Sequence, residues 1–93
     1  MIVGLLTLEI HLPQARSLKD KRQVLRKLKD RLRARFNVAI AELDHQDLWQ
    51  RAAVGIVSLS NEKRGLAQLL EAASAEAERV LDGSLVDCHI EYL

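Results

Sequence analysis

Apolar residues alternate along the start of the chain. Ile2, Leu6, Leu8, Ile10 and Leu12 share one parity, with Gly4 the gap, while Val3, Leu5, Thr7, Glu9 and His11 turn polar toward the end. Period-two alternation with one fully apolar face predicts a strand over 2–12. Pro13 closes it, because proline cannot donate to a ladder. The period then changes: Leu18, Leu25, Leu28 and Leu32, flanked by Val24, recur at helical spacing. Ser17 is placed to cap this helix, and Asp20 to sit at its positive end. The helix is predicted over 17–35, where Phe36 and Asn37 break the pattern.

Val38 to Leu43 reads as a short strand, Asp44-His45-Gln46-Asp47 as a polar turn, and Ala52 to Leu59 as a third strand. The two strands form a hairpin with a longish loop. Ser60 or Asn61 caps a second helix over 61–82, in which Leu66, Leu69, Leu70, Ala73, Ala77, Val80 and Leu81 recur at helical spacing. Its alanines let it lie close on a sheet, and Gly83 supplies a left-handed end. Leu85 to Leu93 is the last strand, with Val86, Cys88, Ile90 and Tyr92 on one parity. The order β-α-β-β-α-β, with two right-handed crossovers around a central hairpin, predicts an antiparallel four-stranded sheet. The strand order is 4-1-3-2, with both helices on one face: an α+β, ferredoxin-like sandwich forming one domain over 1–93.

Three stretches carry a resemblance. Ser17-Leu18-Lys19-Asp20-Lys21-Arg22, then Phe36-Asn37-Val38, then Ala41 through Ala52 with its Asp44-His45-Gln46-Asp47-Leu48-Trp49-Gln50-Arg51 core, resemble the signature stretches of the YlxP-like bacterial family. The likeness runs over the whole chain. It implies a ferredoxin-like fold and a domain of unknown function, encoded among genes for transcription termination, translation initiation and ribosome maturation. That context implies a link to RNA or the ribosome, and it brings no catalytic residues with it.

Charge sharpens the picture. The net charge is +1, yet Arg16 to Arg35 hold ten bases against two acids, and Glu62 to Leu93 hold seven acids against three bases. Such a two-sided chain suits an anionic partner on one side. At 100° per residue, Lys19, Arg22, Arg26, Lys29 and Arg33 fall in one narrow arc beside the apolar stripe. Lys27, Arg31 and Arg35 form a second row. Like charges at this spacing repel, and a solvated face ordinarily mixes signs, so the stripe is read as a polyanion surface. Arg16, Lys19, Arg22, Arg26, Lys29 and Arg33 are the nucleic-acid-binding candidates. The competing reading is a plain solvated helix, partly neutralised by the acidic second helix. The loop from His11 to Ser17 could offer phosphate the free amides of the helix start. It has no glycine, and so matches neither a P-loop nor an acylphosphatase loop. Lys21 lies toward the apolar stripe and is expected to lay its stem on the core and reach outward.

Other chemistry is sparse. His11, His89, Glu9, Asp87 and Glu91 fall on the open sheet face if the first and last strands pair. They are the residue types that acid–base or metal chemistry uses, but strand parity alone puts polar residues there. Trp49 is expected to anchor the loop against the sheet edge; the alternative is stacking on a partner. Cys88 shares parity with Val86 and Ile90 and is expected to be a buried, inert thiol. As the one cysteine it forms no intrachain disulfide, which suits a reducing cytoplasm. The apolar start lacks the flanks of a signal peptide, and no apolar run reaches membrane-spanning length. The first and third strands lack the aromatics of an RNA-recognition motif. The sequence thus predicts a non-enzymatic cytoplasmic protein with no metal and no cofactor, binding RNA or the ribosome through its first helix. The alternative is an interaction module. Val3 and Leu5 on the open face, and Trp49, are the interface candidates of a homodimer.

Overall fold

The structure, a computed structural model, describes residues 1–93. Its elements run β1 (Ile2–His11), α1 (Leu18–Arg35), β2 (Ala39–Asp44), β3 (Arg51–Ser60), α2 (Lys63–Leu81) and β4 (Leu85–Tyr92). The strands form one sheet in the order β2-β3-β1-β4, which is the predicted 4-1-3-2 read from the other edge. Every neighbouring pair is antiparallel. No helix is long and apolar enough to cross a membrane.

Parity decides the two sheet faces. Leu6, Leu8 and Ile10 of β1 pair with Ile56, Val54 and Ala52 of β3, and all six are buried beneath the helices. Leu25, Leu28 and Leu32 of α1, and Leu66, Leu70, Ala73, Ala77 and Leu81 of α2, complete the core. Gly4 interrupts the apolar parity set because α2 lies over it. A Cβ there would stand 2.6 Å from Leu70 Cδ1 and 3.2 Å from Leu66 Cδ2. The missing side chain is therefore what lets the helix approach the strand.

The helix ends follow local chemistry. Ser17 Oγ accepts from the Asp20 N–H at 3.1 Å, and Asp20 Oδ2 accepts from the Arg16 N–H at 2.9 Å. The pair is a reciprocal cap. The Asp20 carboxylate thereby takes up the Arg16 N–H, one of the amides that the expected phosphate site would offer. The cap of α2 is Glu62 rather than Ser60 or Asn61 and makes no side-chain capping bond. Ser60 Oγ instead accepts from the Glu62 N–H at 3.1 Å. At the far end Asp82 (φ 46°) and Gly83 (φ 89°) both take left-handed backbone. Cys88 corrects another expectation: it is exposed. It pairs with Leu8 on the core face, but β4 is an edge strand at the margin of what α2 covers. Its Sγ lies 3.6 Å from Ser74 Oγ.

Candidate nucleic-acid interface

Helix α1 divides its charge by face. On the inner face Lys21 joins Leu25, Leu28 and Leu32 as a buried residue. On the face toward α2, Arg31 and Arg35 both bond the carboxylate of Glu76, as does Arg79 from α2 itself. Glu76 is buried, and hydrogen bonding from Arg79 first, then from Arg31, with the charges of Arg35 and Arg79, holds its carboxyl below the usual range against the opposing effect of burial. The acidic second helix therefore neutralises Arg31 and Arg35 of the second row, while Lys27, its third member, has no carboxylate partner. The second helix does not reach the outer row. Arg16, Lys19, Arg22, Arg26, Lys29 and Arg33 have no carboxylate within ion-pair distance. All are exposed apart from the half-buried Lys29. From Lys19 to Arg33 this stripe runs about 21 Å along the helix axis. Arg22, Arg26, Lys29 and Arg33, with Asp30 among them, line a groove of about 390 Å³ between α1 and Glu42 of β2. Arg33 also reaches the Ile40 carbonyl at 3.4 Å, which fixes the far end of the stripe beside the β2 edge.

Lys21 does not reach outward. It is 1% exposed, and its ammonium turns toward the β2–β3 loop. It lies 2.8 Å from Glu42 Oε2 and donates to the carbonyls of His45 (2.8 Å), Gln46 (3.4 Å) and Arg51 (3.3 Å). His45 takes left-handed backbone (φ 63°), and its N–H donates to Asp44 Oδ1 at 2.8 Å. A charge taken out of water needs this many partners. The first and third signature stretches are thus one structural unit: Lys21 from α1 grips the loop that carries Trp49.

Trp49 is not the anchor. It is 51% exposed, and its neighbour Leu48 is 46% exposed. Gln50 fastens the loop instead. Its side-chain amide donates to the Pro13 (3.1 Å) and Ala15 (3.3 Å) carbonyls, and its own carbonyl accepts from the Leu12 N–H at 2.8 Å. This docks the loop beside Arg16. His11, Asp47, Leu48, Trp49, Gln50 and Arg51 line a groove of about 580 Å³.

The open sheet face holds the remaining candidates. Glu9 stands opposite Asp87, and His89 opposite Thr7, so His11 and His89 are about 13 Å apart along the strand direction. No three histidine, cysteine or carboxylate side chains converge as a metal site. Glu9 meets groups from β3 and its loop: His45 Nε2 at 3.6 Å and Arg51 Nη2 at 3.9 Å. Val3 and Leu5 are half-buried on this face and pair with Leu59 and Val57. Leu59 (64% exposed) and Leu43 (50% exposed) extend the apolar surface. Sequence reasoning missed Glu76 and His45. The position of Glu76 among Ala73, Ala77 and Val80 on the apolar side of α2 was the available signal for the first.

The comparisons agree with the resemblance. The family described as "Protein of unknown function (DUF503)" matches residues 3–90. The Bacillus subtilis (strain 168) protein named "Uncharacterized protein YlxP" is 39% identical over 62 residues, 67% of each chain. Among solved structures, the de novo designed protein Foldit4 is 12% identical, with a TM-score of 0.56 over 99% of this chain and 94% of that one. A dimeric ferredoxin-like protein of unknown function from Thermobifida fusca is 11% identical, with a TM-score of 0.54 over 98% of this chain and 90% of that one. At such identities the likeness is one of fold alone.

Proposed function

The chain belongs to the DUF503 family of proteins of unknown function; from that premise we propose that it is a non-catalytic accessory protein, binding RNA, free or within a ribonucleoprotein, through the outer stripe of α1. One observation carries the reading. Seven bases on and just before α1 stand without an acidic partner, six of them in the outer stripe and the seventh, Lys27, in the second row, while Lys21, Arg31 and Arg35 are each paired. Five of the six repel one another at spacings of three and four residues. A phosphate backbone laid along them would relieve that repulsion and release its own counterions. The cell compartment implied is the cytoplasm, among the translation machinery.

The test is fluorescence anisotropy with labelled RNA and an Arg22→Gln/Arg26→Gln variant. Both side chains are exposed, so folding stability should stay within about 0.5 kcal/mol of the parent. Affinity should fall at least several-fold and the salt slope should shrink by about 1.4, at roughly 0.7 per phosphate contact on a single strand. Unchanged affinity would remove α1 from the binding surface.

A second reading rests on the open sheet face. Val3, Leu5, Val57 and Leu59 form an apolar surface with no helix over it, and Val3, Val57 and Leu59 line a groove of about 280 Å³ with Val38 and Ala39. Apolar surface of this kind fits a second copy of the chain, packed sheet to sheet. The T. fusca relative in fold is described as dimeric. The homodimer and the RNA role are compatible, because they use opposite layers of the sandwich.

A further inference from the structure

The chain has one tryptophan, one tyrosine and one phenylalanine. Two of the three rings carry a cation from their own chain: Arg35 over Phe36 at 5.7 Å and Lys63 over Tyr92 at 4.7 Å. Trp49 has none and is half exposed. Nor is its loop slack. Lys21 donates to two of its backbone carbonyls and to that of Arg51 at the start of β3, and Gln50 bonds outward to Pro13 and Ala15. Burying a lysine ammonium to hold a loop that merely exposes an indole to water would be unfavourable on both counts. The same arrangement becomes useful if the ring must be presented in a fixed place, because the ordering is then complete before a ligand arrives. His11, Asp47 and Arg51 line the same groove as the ring. Gln50, bonded to Ala15, sets the groove next to Arg16 and the start of the basic stripe.

We infer that Trp49 is a stacking platform for an unpaired nucleobase, and that the RNA lying along α1 is single-stranded where it meets the β2–β3 loop. The inference rests on the α1 reading above and extends it by one site and one class of ligand. An indole face stacks on any base, but only on one that has left a duplex. Arg51, loosely paired with Glu9 at 3.9 Å and still half exposed, turns to the adjoining phosphate, and Asp47 accepts from an exocyclic amino group. Arg16 and Lys19 then pass the backbone to the stripe. The sheet face of an RNA-recognition motif is not needed, since the aromatic surface sits on a loop.

Because Trp49 is the one tryptophan, its intrinsic fluorescence reports this site alone. The full chain is titrated with an unstructured twelve-nucleotide RNA and with a blunt RNA duplex of the same length. The Arg22→Gln/Arg26→Gln, Trp49→Ala and Trp49→Phe variants are run beside it. Expected are quenching of Trp49 by the single strand in step with anisotropy, about a tenfold loss of single-strand affinity in Trp49→Ala, and substantial rescue in Trp49→Phe. Duplex affinity should not respond to Trp49→Ala. Binding that depends on Arg22 and Arg26 but leaves Trp49 unquenched, or equal loss of duplex affinity in Trp49→Ala, overturns the stacking site and leaves the α1 reading standing. Quenching that appears on raising protein concentration without RNA, and that RNA does not add to, assigns the ring to an interface between copies and overturns the site. No binding of either RNA by the parent chain overturns both.

Discussion

With its ammonium 2.8 Å from both Glu42 Oε2 and the His45 carbonyl, Lys21 converts a loop of polar residues into a fixed structure. Replacing it with methionine keeps the apolar stem and removes the charge. Three carbonyls would lose a donor, and Glu42 Oε2, which is buried with no other partner, would be left as an uncompensated charge. Removing one partner of a buried pair costs about 3–5 kcal/mol, and the 20% exposure of the Glu42 side chain puts this case at the lower end. Lys21→Met should therefore lose about 3 kcal/mol in urea unfolding, and adding Glu42→Gln should return about 1 kcal/mol of it. A loss below 1 kcal/mol in the single variant would mean that the cluster is solvated and the loop not fixed by it. The spacing from Lys21 to Leu25 and Leu28 showed from sequence that this lysine belongs to the apolar side of the helix. What it reaches was not legible, because its partners are backbone carbonyls twenty-four and more residues away, and a carbonyl has no letter in a sequence. Trp49 failed for a related reason: statistics favour a buried ring, and the bonds that make burial unnecessary belong to Gln50.

At the scale of elements, α1 is where pattern reading went furthest. Its apolar stripe, its cap at Ser17 and the separation of its two basic rows all follow from 3.6-residue geometry. Edge effects did not follow. Cys88 has core parity, yet strand position within the sheet decides burial as much as parity does, and β4 is the outermost strand. The tie between the helices through Glu76 also depends on how α1 and α2 lie together, which no local pattern encodes. It makes a prediction in pH. The Glu76 carboxyl sits below its unfolded value of 4.5. The unfolded chain then takes up this proton first as pH falls, so the contribution is complete above that value and is lost on acidifying through the folded one. Thermal unfolding followed between pH 6 and pH 3 should show a loss of stability below about 4.5 that is smaller in Glu76→Gln than in the parent. An equal acid response in both chains would show that Glu76 plays no part in joining the helices.

The whole molecule is a sandwich with two different outer surfaces. One layer presents the unpaired bases of α1, the other Val3, Leu5, Val57 and Leu59, and the Trp49 loop stands at the end of the sheet between β2 and β3. Topology was legible in full because two crossovers and one hairpin leave few alternatives. Partners were not, since a charged stripe and an apolar patch state a chemistry and not an identity. A second copy on the open face should appear in sedimentation velocity at micromolar concentration as a dimer that survives high salt, because the contact is apolar. Leu5→Lys should shift it toward monomer. A monomer at every concentration would leave this face to another partner or to water. The RNA reading responds to salt in the opposite sense, and this makes its most direct test a single measurement: the affinity of the full chain for a short unstructured RNA as a function of salt. If the six bases of the stripe contact phosphates, log K should fall against log salt with a slope of about −4. A slope near zero, or no binding at the lowest salt, would contradict the assignment of α1 as a nucleic-acid surface.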